Sequence, residues 1–196
     1  MNKAIFIDKD GTLIEDVPYN VNPGRIRLED HAAEGLRMLQ EEGFLLIVAS
    51  NQPGVALGYF GEHHLLQVNE KIRSLLLPCG VYISGFYYCP HTPEGRIKKY
   101  ACRCGCRKPA PGLLLAAADA LDIDTSRSWM IGDILHDVEA GKRAGCHAVL
   151  IDNGHETVWD TTGPYRRPDA RAGDIRAAAE LILRRQAHHK QTAVAQ

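Results

Sequence analysis

A doubly wound α/β fold, a parallel sheet with helices on both faces, follows from three features of this 196-residue chain. Short apolar runs alternate with longer stretches of helical periodicity. Polar clusters stand just after the apolar runs, where parallel sheets bind ligands. The length suits one domain with at most a small insertion.

The elements follow in order. Residues 3–8 read as a buried strand, short and β-branched around Ile5, Phe6 and Ile7. Asp30 is placed to cap a helix over residues 31–42, which carries Ala33, Leu36, Met38 and Leu39 and stops at Gly43. Residues 44–49 form a second strand, and a helix over 62–77 follows. A third strand covers 81–88. Pro111 opens a helix reaching residue 121. Residues 128–131 and 147–151 are strands four and five, with a helix over 135–144 between them. Residues 152–172 look irregular, and Asp174 caps a last helix through residue 183. The reading is thus a Rossmann-like parallel sheet in a single domain, 1–185. The polar tail 186–196 is expected to be disordered.

Composition excludes several classes. The formal net charge is -1 and hydrophobic residues make up 45%, so no global field favours nucleic acid or an anionic membrane. Met1, Asn2 and Lys3 precede an apolar run of only four residues before Asp8, too short for a secretory signal. No apolar run is long enough to span a bilayer. The expectation is a cytoplasmic monomer acting on a small molecule, with no nucleic-acid or membrane partner.

The carboxylates suggest the chemistry. Asp8 and Asp10 directly follow the first strand, and Asp133 follows the fourth. Mg²⁺ favours a few carboxylate oxygens plus water and phosphate. Asp8, Asp133 and the backbone carbonyl of Asp10 could hold it. The cation would let the Asp8 carboxylate attack a phosphate ester despite like charge. Asp10 is then the acid that protonates the leaving oxygen and later activates water. Ser50 and Asn51, after the second strand, read either as a turn or as a hydroxyl and an amide for the phosphoryl group. Lys108 is placed to neutralise phosphoryl charge and Arg107 to grip the substrate.

The six cysteines are uneven. Cys89, Cys102, Cys104 and Cys106 crowd together, with His91 beside the first. Cys89, His91, Cys104 and Cys106 match a closed tetrahedral zinc site that would order the polar loop at about 89–108. Cys102 could replace Cys104, and spacing does not decide between them.

Asp8-Lys9-Asp10-Gly11-Thr12, Ser50-Asn51-Gln52, Lys108-Pro109 and Gly132-Asp133-x-x-x-Asp137 resemble, in order, the four motifs of the haloacid dehalogenase superfamily. The resemblance implies Asp8 as nucleophile, Asp10 as acid/base, Ser50 and Lys108 as phosphoryl binders and Asp133 as a metal ligand. Asp137 matches the second acid of the fourth motif, supporting either Lys108 or the metal's waters. Cys89-Pro90-His91 with Cys104-Gly105-Cys106-Arg107-Lys108-Pro109 is similar to the D-glycero-D-manno-heptose-1,7-bisphosphate 7-phosphatases, and related histidinol-phosphate phosphatases share much of it. That resemblance runs from Ile5 to about Asp152. It implies a sugar-phosphate substrate met by Asp16, Tyr19, Ser50, Asn51, Gln52, Arg107 and Lys108. Three positions depart from the pattern. Ser50 stands where Thr is usual, and Pro53 where a small residue is usual. Ile134 stands where the enterobacterial type has a lysine. No stretch is long enough for a large cap domain, so the zinc loop and the loop after Asp10 are expected to shape the pocket. The alternatives are a histidinol-phosphate or broad phosphatase, a nucleic-acid 3′-phosphatase, which the balanced charge argues against, and a non-catalytic zinc module.

Overall fold

The computed structural model describes residues 1–194, with side chains through Ala187. Strands β1 (Lys3–Ile7), β2 (Phe44–Asn51), β3 (Gly85–Cys89), β4 (Trp129–Gly132), β5 (His147–Ile151) and β6 (Ala170–Ala172) form one sheet. Its order is β3-β2-β1-β4-β5-β6, and every neighbouring pair is parallel. In register, Ile5 stands between Leu46 of β2 and Trp129 of β4.

Both faces of the sheet are covered. Ile5 and Ile7 pack with residues of α1 (Ala32–Glu41), α3 (Glu62–Leu76) and α6 (Ile175–Val194). Ala4 and Phe6 point the other way, toward Leu113, Leu114 and Ala117 of α4 (Gly112–Ala120). On that side α5 (Leu135–Arg143) sets Leu135 and Val138 against Ala148 and Leu150 of β5. A strand buried on both sides needs apolar residues at every position, which is why β1 reads as one unbroken run. Each fully buried side chain of this size contributes about 1.5–3 kcal/mol.

The path of the chain positions the site. From β1 it moves outward through β2, the short α2 (Gly54–Leu57) and α3 to β3, then returns past β1 to β4, β5 and β6. β1 and β4 are therefore adjacent strands whose connections leave in opposite directions. A crevice opens beyond the carboxyl ends at such a switch point.

Several elements differ from the sequence expectation. Asp30 does not cap α1. His31 takes that position in a left-handed conformation (φ 60°) without a side-chain cap bond, and Ala32 N–H donates to the Glu29 carbonyl at 3.1 Å. β3 begins only at Gly85; Val81 and Ile83 are buried in the core without joining the ladder. A sixth strand lies within the stretch expected to be irregular. Asp174 does cap α6, accepting from Ala177 N–H at 2.7 Å. α6 runs past residue 183 to Val194, because no Gly or Pro follows Leu183 there to stop it. Residues 195–196 of the expected tail lie outside the described residues. No described helix is long and apolar enough to cross a membrane.

Candidate active site

Asp8 follows β1 directly, and its N–H donates to the Ile131 carbonyl of β4 at 2.9 Å. The end of β1 is thereby tied to the strand that carries Asp133. Lys108 arrives from the far side, at the end of the cysteine loop. Its ammonium is 2% exposed; it bonds Asp8 Oδ1 and stands 2.6 Å from Asp137 Oδ1. Asp137 lies in the first turn of α5 and is fully buried. Asp133 follows β4 and accepts from Thr12 Oγ1 at 3.0 Å, with His155 Nδ1 3.0 Å from its other oxygen.

Two glycines permit this crowding. A Cβ on Gly132 would lie 2.3 Å from both Cβ and Oδ2 of Asp137. A Cβ on Gly11 would lie 2.5 Å from Asp133 Oδ2 and from His155 Nδ1, and its φ of +75° suits glycine.

The carboxylates of Asp8, Asp133 and Asp137 come within 4.8 Å of one another and are all buried. Lys108 supplies one positive charge against these three, which leaves two negative charges in a site shielded from water. Burial pushes the Asp8 carboxyl up to about 7, against the pull of Lys108 and with Asp137 and Asp10 adding to the rise. Burial likewise raises Asp133, with Asp8 contributing. It also raises Asp137, against the pull of Lys108. Burial opposes the Lys108 charge, yet Asp137 and Asp8 outweigh it and hold its pKa above normal. A hard divalent cation is the complement that this set of oxygens calls for.

The Asp10 carboxylate stands outside that group. Lys9 pairs with Asp10 Oδ1, and Gln52 Nε2 donates to Oδ2 at 3.1 Å. Gln52 Nε2 also donates to Ser50 Oγ at 2.8 Å. Asn51 spends its amide on the Lys108 backbone, donating to the carbonyl at 3.0 Å and accepting from the N–H at 2.9 Å. A cavity of about 310 Å³ is lined by Asp8, Asp10, Asp16, Ser50, Asn51, Lys108, Asp133, Ile134 and His155. An adjoining one, about 230 Å³, adds Tyr19, Gln52 and Pro53. The loop after Asp10 brings Asp16 and Tyr19 there by doubling back, with Glu15 N–H donating to the Arg27 carbonyl and Glu29 N–H to Leu13. Arg107 donates Nη1 to the His91 carbonyl at 3.2 Å.

A second ligand set stands in the cysteine loop. Cys89, His91, Cys104 and Cys106 present their ligand atoms within 4.8 Å of one another. The sulfur separations are 3.1, 3.3 and 3.5 Å, and His91 Nδ1 is 3.5 Å from Cys89 and Cys106. A disulfide would need about 2.05 Å. A zinc tetrahedron with bonds of about 2.3 Å has edges of about 3.8 Å, close to those seen. The fold brings Cys104 into this set and leaves Cys102 exposed.

Sequence reasoning missed His155 and Asn153. Asn153 Nδ2 donates to the Gly11 carbonyl at 2.6 Å, and Glu156 Oε2 accepts from Leu135 N–H at 2.6 Å, at the start of α5. These contacts fasten the stretch after β5 across the site mouth. No spacing marks those residues; only their nearness to Asp133 does.

Comparisons with known proteins agree with this geometry. A family model described as "HAD-hyrolase-like" matches residues 105–178. The D-glycero-beta-D-manno-heptose-1,7-bisphosphate 7-phosphatase of Pasteurella multocida (strain Pm70) is 43% identical over 161 residues, 82% of this chain and 87% of that protein. The enzyme of the same name from Escherichia coli (strain K12) is 40% identical, covering 77% and 80%. The solved structure of D,D-heptose 1,7-bisphosphate phosphatase from B. bronchiseptica, complexed with magnesium and phosphate, superposes with a TM-score of 0.79 at 28% identity. That match covers 93% of this chain and 99% of the other.

Proposed function

The chain belongs to the haloacid dehalogenase-like phosphatases, in the family of the heptose-1,7-bisphosphate 7-phosphatases, and on that premise we propose that it removes the 7-phosphate of D-glycero-β-D-manno-heptose 1,7-bisphosphate. The observation that carries the reading is the buried set Asp8, Asp133, Asp137 and Lys108 at the switch point. The β anomer follows the names of the relatives.

In this reading Asp8 is the nucleophile. Its carboxylate attacks phosphorus, and the sugar oxygen departs with a proton from Asp10. An aspartyl-phosphate on Asp8 results. Asp10 then takes a proton from water, which attacks that phosphorus and releases phosphate and free Asp8. Lys108 neutralises charge on the phosphoryl oxygens, while Asp137 holds its ammonium in place. Ser50 lines the phosphoryl pocket, and Gln52 Nε2 donates to its hydroxyl from the adjoining cavity. Asp16, Tyr19, Gln52 and Arg107 are assigned to the sugar end, and Asn51, whose amide holds the Lys108 backbone, lines the pocket between. Asp8, Asp133 and the Asp10 carbonyl would hold Mg²⁺, which would supply charge neutralisation for the attack. Zinc at Cys89, His91, Cys104 and Cys106 has a structural role.

The test is a substrate panel with phosphate release as readout. It comprises both anomers of heptose 1,7-bisphosphate, histidinol phosphate and a 3′-phosphorylated oligonucleotide. Preferred turnover of the β-bisphosphate, leaving the 1-phosphate intact, is the expected result. Preference for histidinol phosphate or the oligonucleotide would overturn it.

A further inference from the structure

A cavity of about 490 Å³ opens at the opposite end of the sheet from Asp8. Lys3, Trp129 and His147 line it, and they begin β1, β4 and β5. The volume is in the range that takes a small organic ligand.

The lining has a definite chemistry. Lys3, Arg127 and Arg185 bring three cations, and among the described residues no carboxylate lines the cavity. Arg185 stands 5.7 Å from the Trp129 ring and donates to the Asp169 carbonyl. Lys3 Nζ donates to Gln186 Oε1 at 3.2 Å and lies over the Phe44 ring. Arg127 has no carboxylate within ion-pair distance among the described residues. Its charge is felt by Asp124, whose carboxylate accepts from Ser126 and does not pair with Arg127 directly. Asp169, behind His147, is paired with Lys142.

Two aromatic groups complete the wall. The His147 ring is half-exposed and lies 4.6 Å from the Trp129 ring, tilted by 30°. Trp129 is 4% exposed, and its indole N–H has no acceptor among the described residues. That N–H is not a fully buried donor, so it is open to a ligand or to water entering the cavity. A group of cations therefore stands beside a ring face and a solvent-reachable donor, on the side of the molecule that the catalytic crevice does not use.

We propose that this cavity binds a nucleoside phosphate. The base would lie against the His147 ring, a ligand oxygen would accept from the Trp129 indole, and the phosphate would meet Arg127 and Arg185. The inference does not depend on the phosphatase assignment.

Trp129 and Trp159 are the two tryptophans of the chain, so Trp129 can report directly. The protein used is Asp8→Asn with Trp159→Phe, which leaves the nucleotide intact and Trp129 as sole emitter. Titration with a nucleoside monophosphate is expected to quench emission saturably, and Arg127→Ala with Arg185→Ala to weaken binding at least tenfold. Thermal melting of the Asp8→Asn protein with Trp159 retained reads the same binding if Trp159→Phe perturbs folding. Absence of saturable binding in both measurements would overturn the proposal. So would unchanged affinity in the double arginine variant, or an equal effect from inorganic phosphate.

Discussion

Asn51 clasps the backbone of Lys108 in both directions, donating to its carbonyl at 3.0 Å and accepting from its N–H at 2.9 Å. Asn51 closes β2, whereas Lys108 sits on an irregular loop. The clasp therefore lends the rigidity of the sheet to a residue that has no secondary structure of its own. Asn51→Ala is expected to lower kcat by about 10–100-fold through misplacement of the ammonium, and Asn51→Asp, which keeps the acceptor, by less. Steady-state kinetics with circular dichroism as a folding control would check this.

Lys108 answers two buried carboxylates at once. Its replacement by Ala leaves Asp8 and Asp137 facing each other without a counter-charge, at a cost of about 3–5 kcal/mol. Asp8→Asn removes one of those charges and should leave the fold intact while abolishing phosphate release. Urea denaturation separates the two outcomes, and retained turnover in Asp8→Asn would remove the nucleophile assignment.

Gly132→Ala should act through Asp137. The new methyl would fall 2.3 Å from its Cβ and Oδ2, so the carboxylate must move off Lys108. The expectation is a loss of about 1–3 kcal/mol from overpacking with a fall in turnover larger than stability alone explains. Activity measured well below the melting temperature distinguishes the two effects.

Metal analysis tests the cysteine cluster. One zinc per chain is expected, together with its loss in Cys104→Ser and its retention in Cys102→Ser. Protease cleavage within residues 89–108 should follow zinc removal, since the loop has little core of its own. Equal zinc content in the two variants would contradict the ligand assignment.

Asp169 gives a pH signature away from the metals. Burial works to raise its carboxyl, but the Lys142 ammonium and the Ala148 N–H outweigh this and hold it below the ordinary 3.8. A lowered folded-state pKa means the stabilisation is present above the unfolded value and fades as pH falls through the folded one. Asp169→Asn should cost about 1 kcal/mol at neutral pH after allowance for solvent screening. The difference in melting temperature should narrow as pH falls below the ordinary carboxyl range.

Much of the fold was legible in the chain because β1, β2, β4 and β5 are buried on both faces and show as apolar runs that end in polar motifs. β6 was not, since Ala170, Arg171 and Ala172 hold too few apolar atoms to register; pairing to β5 makes it a strand. Asp8 and Asp133 could be read because each directly follows a strand, and Lys108 because it stands in a basic pair shortly before α4. His155 and Asn153 could not, because their place depends on how the chain after β5 folds back over Gly11. The Asp30 cap failed for a local reason: His31 adopts a left-handed turn and starts the helix itself.

The return of the chain past β1 also sets an order in time. During synthesis Asp8 and Lys108 leave the ribosome before Asp133 and Asp137, because β4 and α5, with which the later pair sits, come after them in the chain. A nascent chain ending before residue 133 lacks both the Asp133 carboxylate and the Asp137 carboxylate that pairs with Lys108. The growing polypeptide therefore passes through most of its length without a complete phosphate-cleaving centre. That centre arises only when β4 closes against β1.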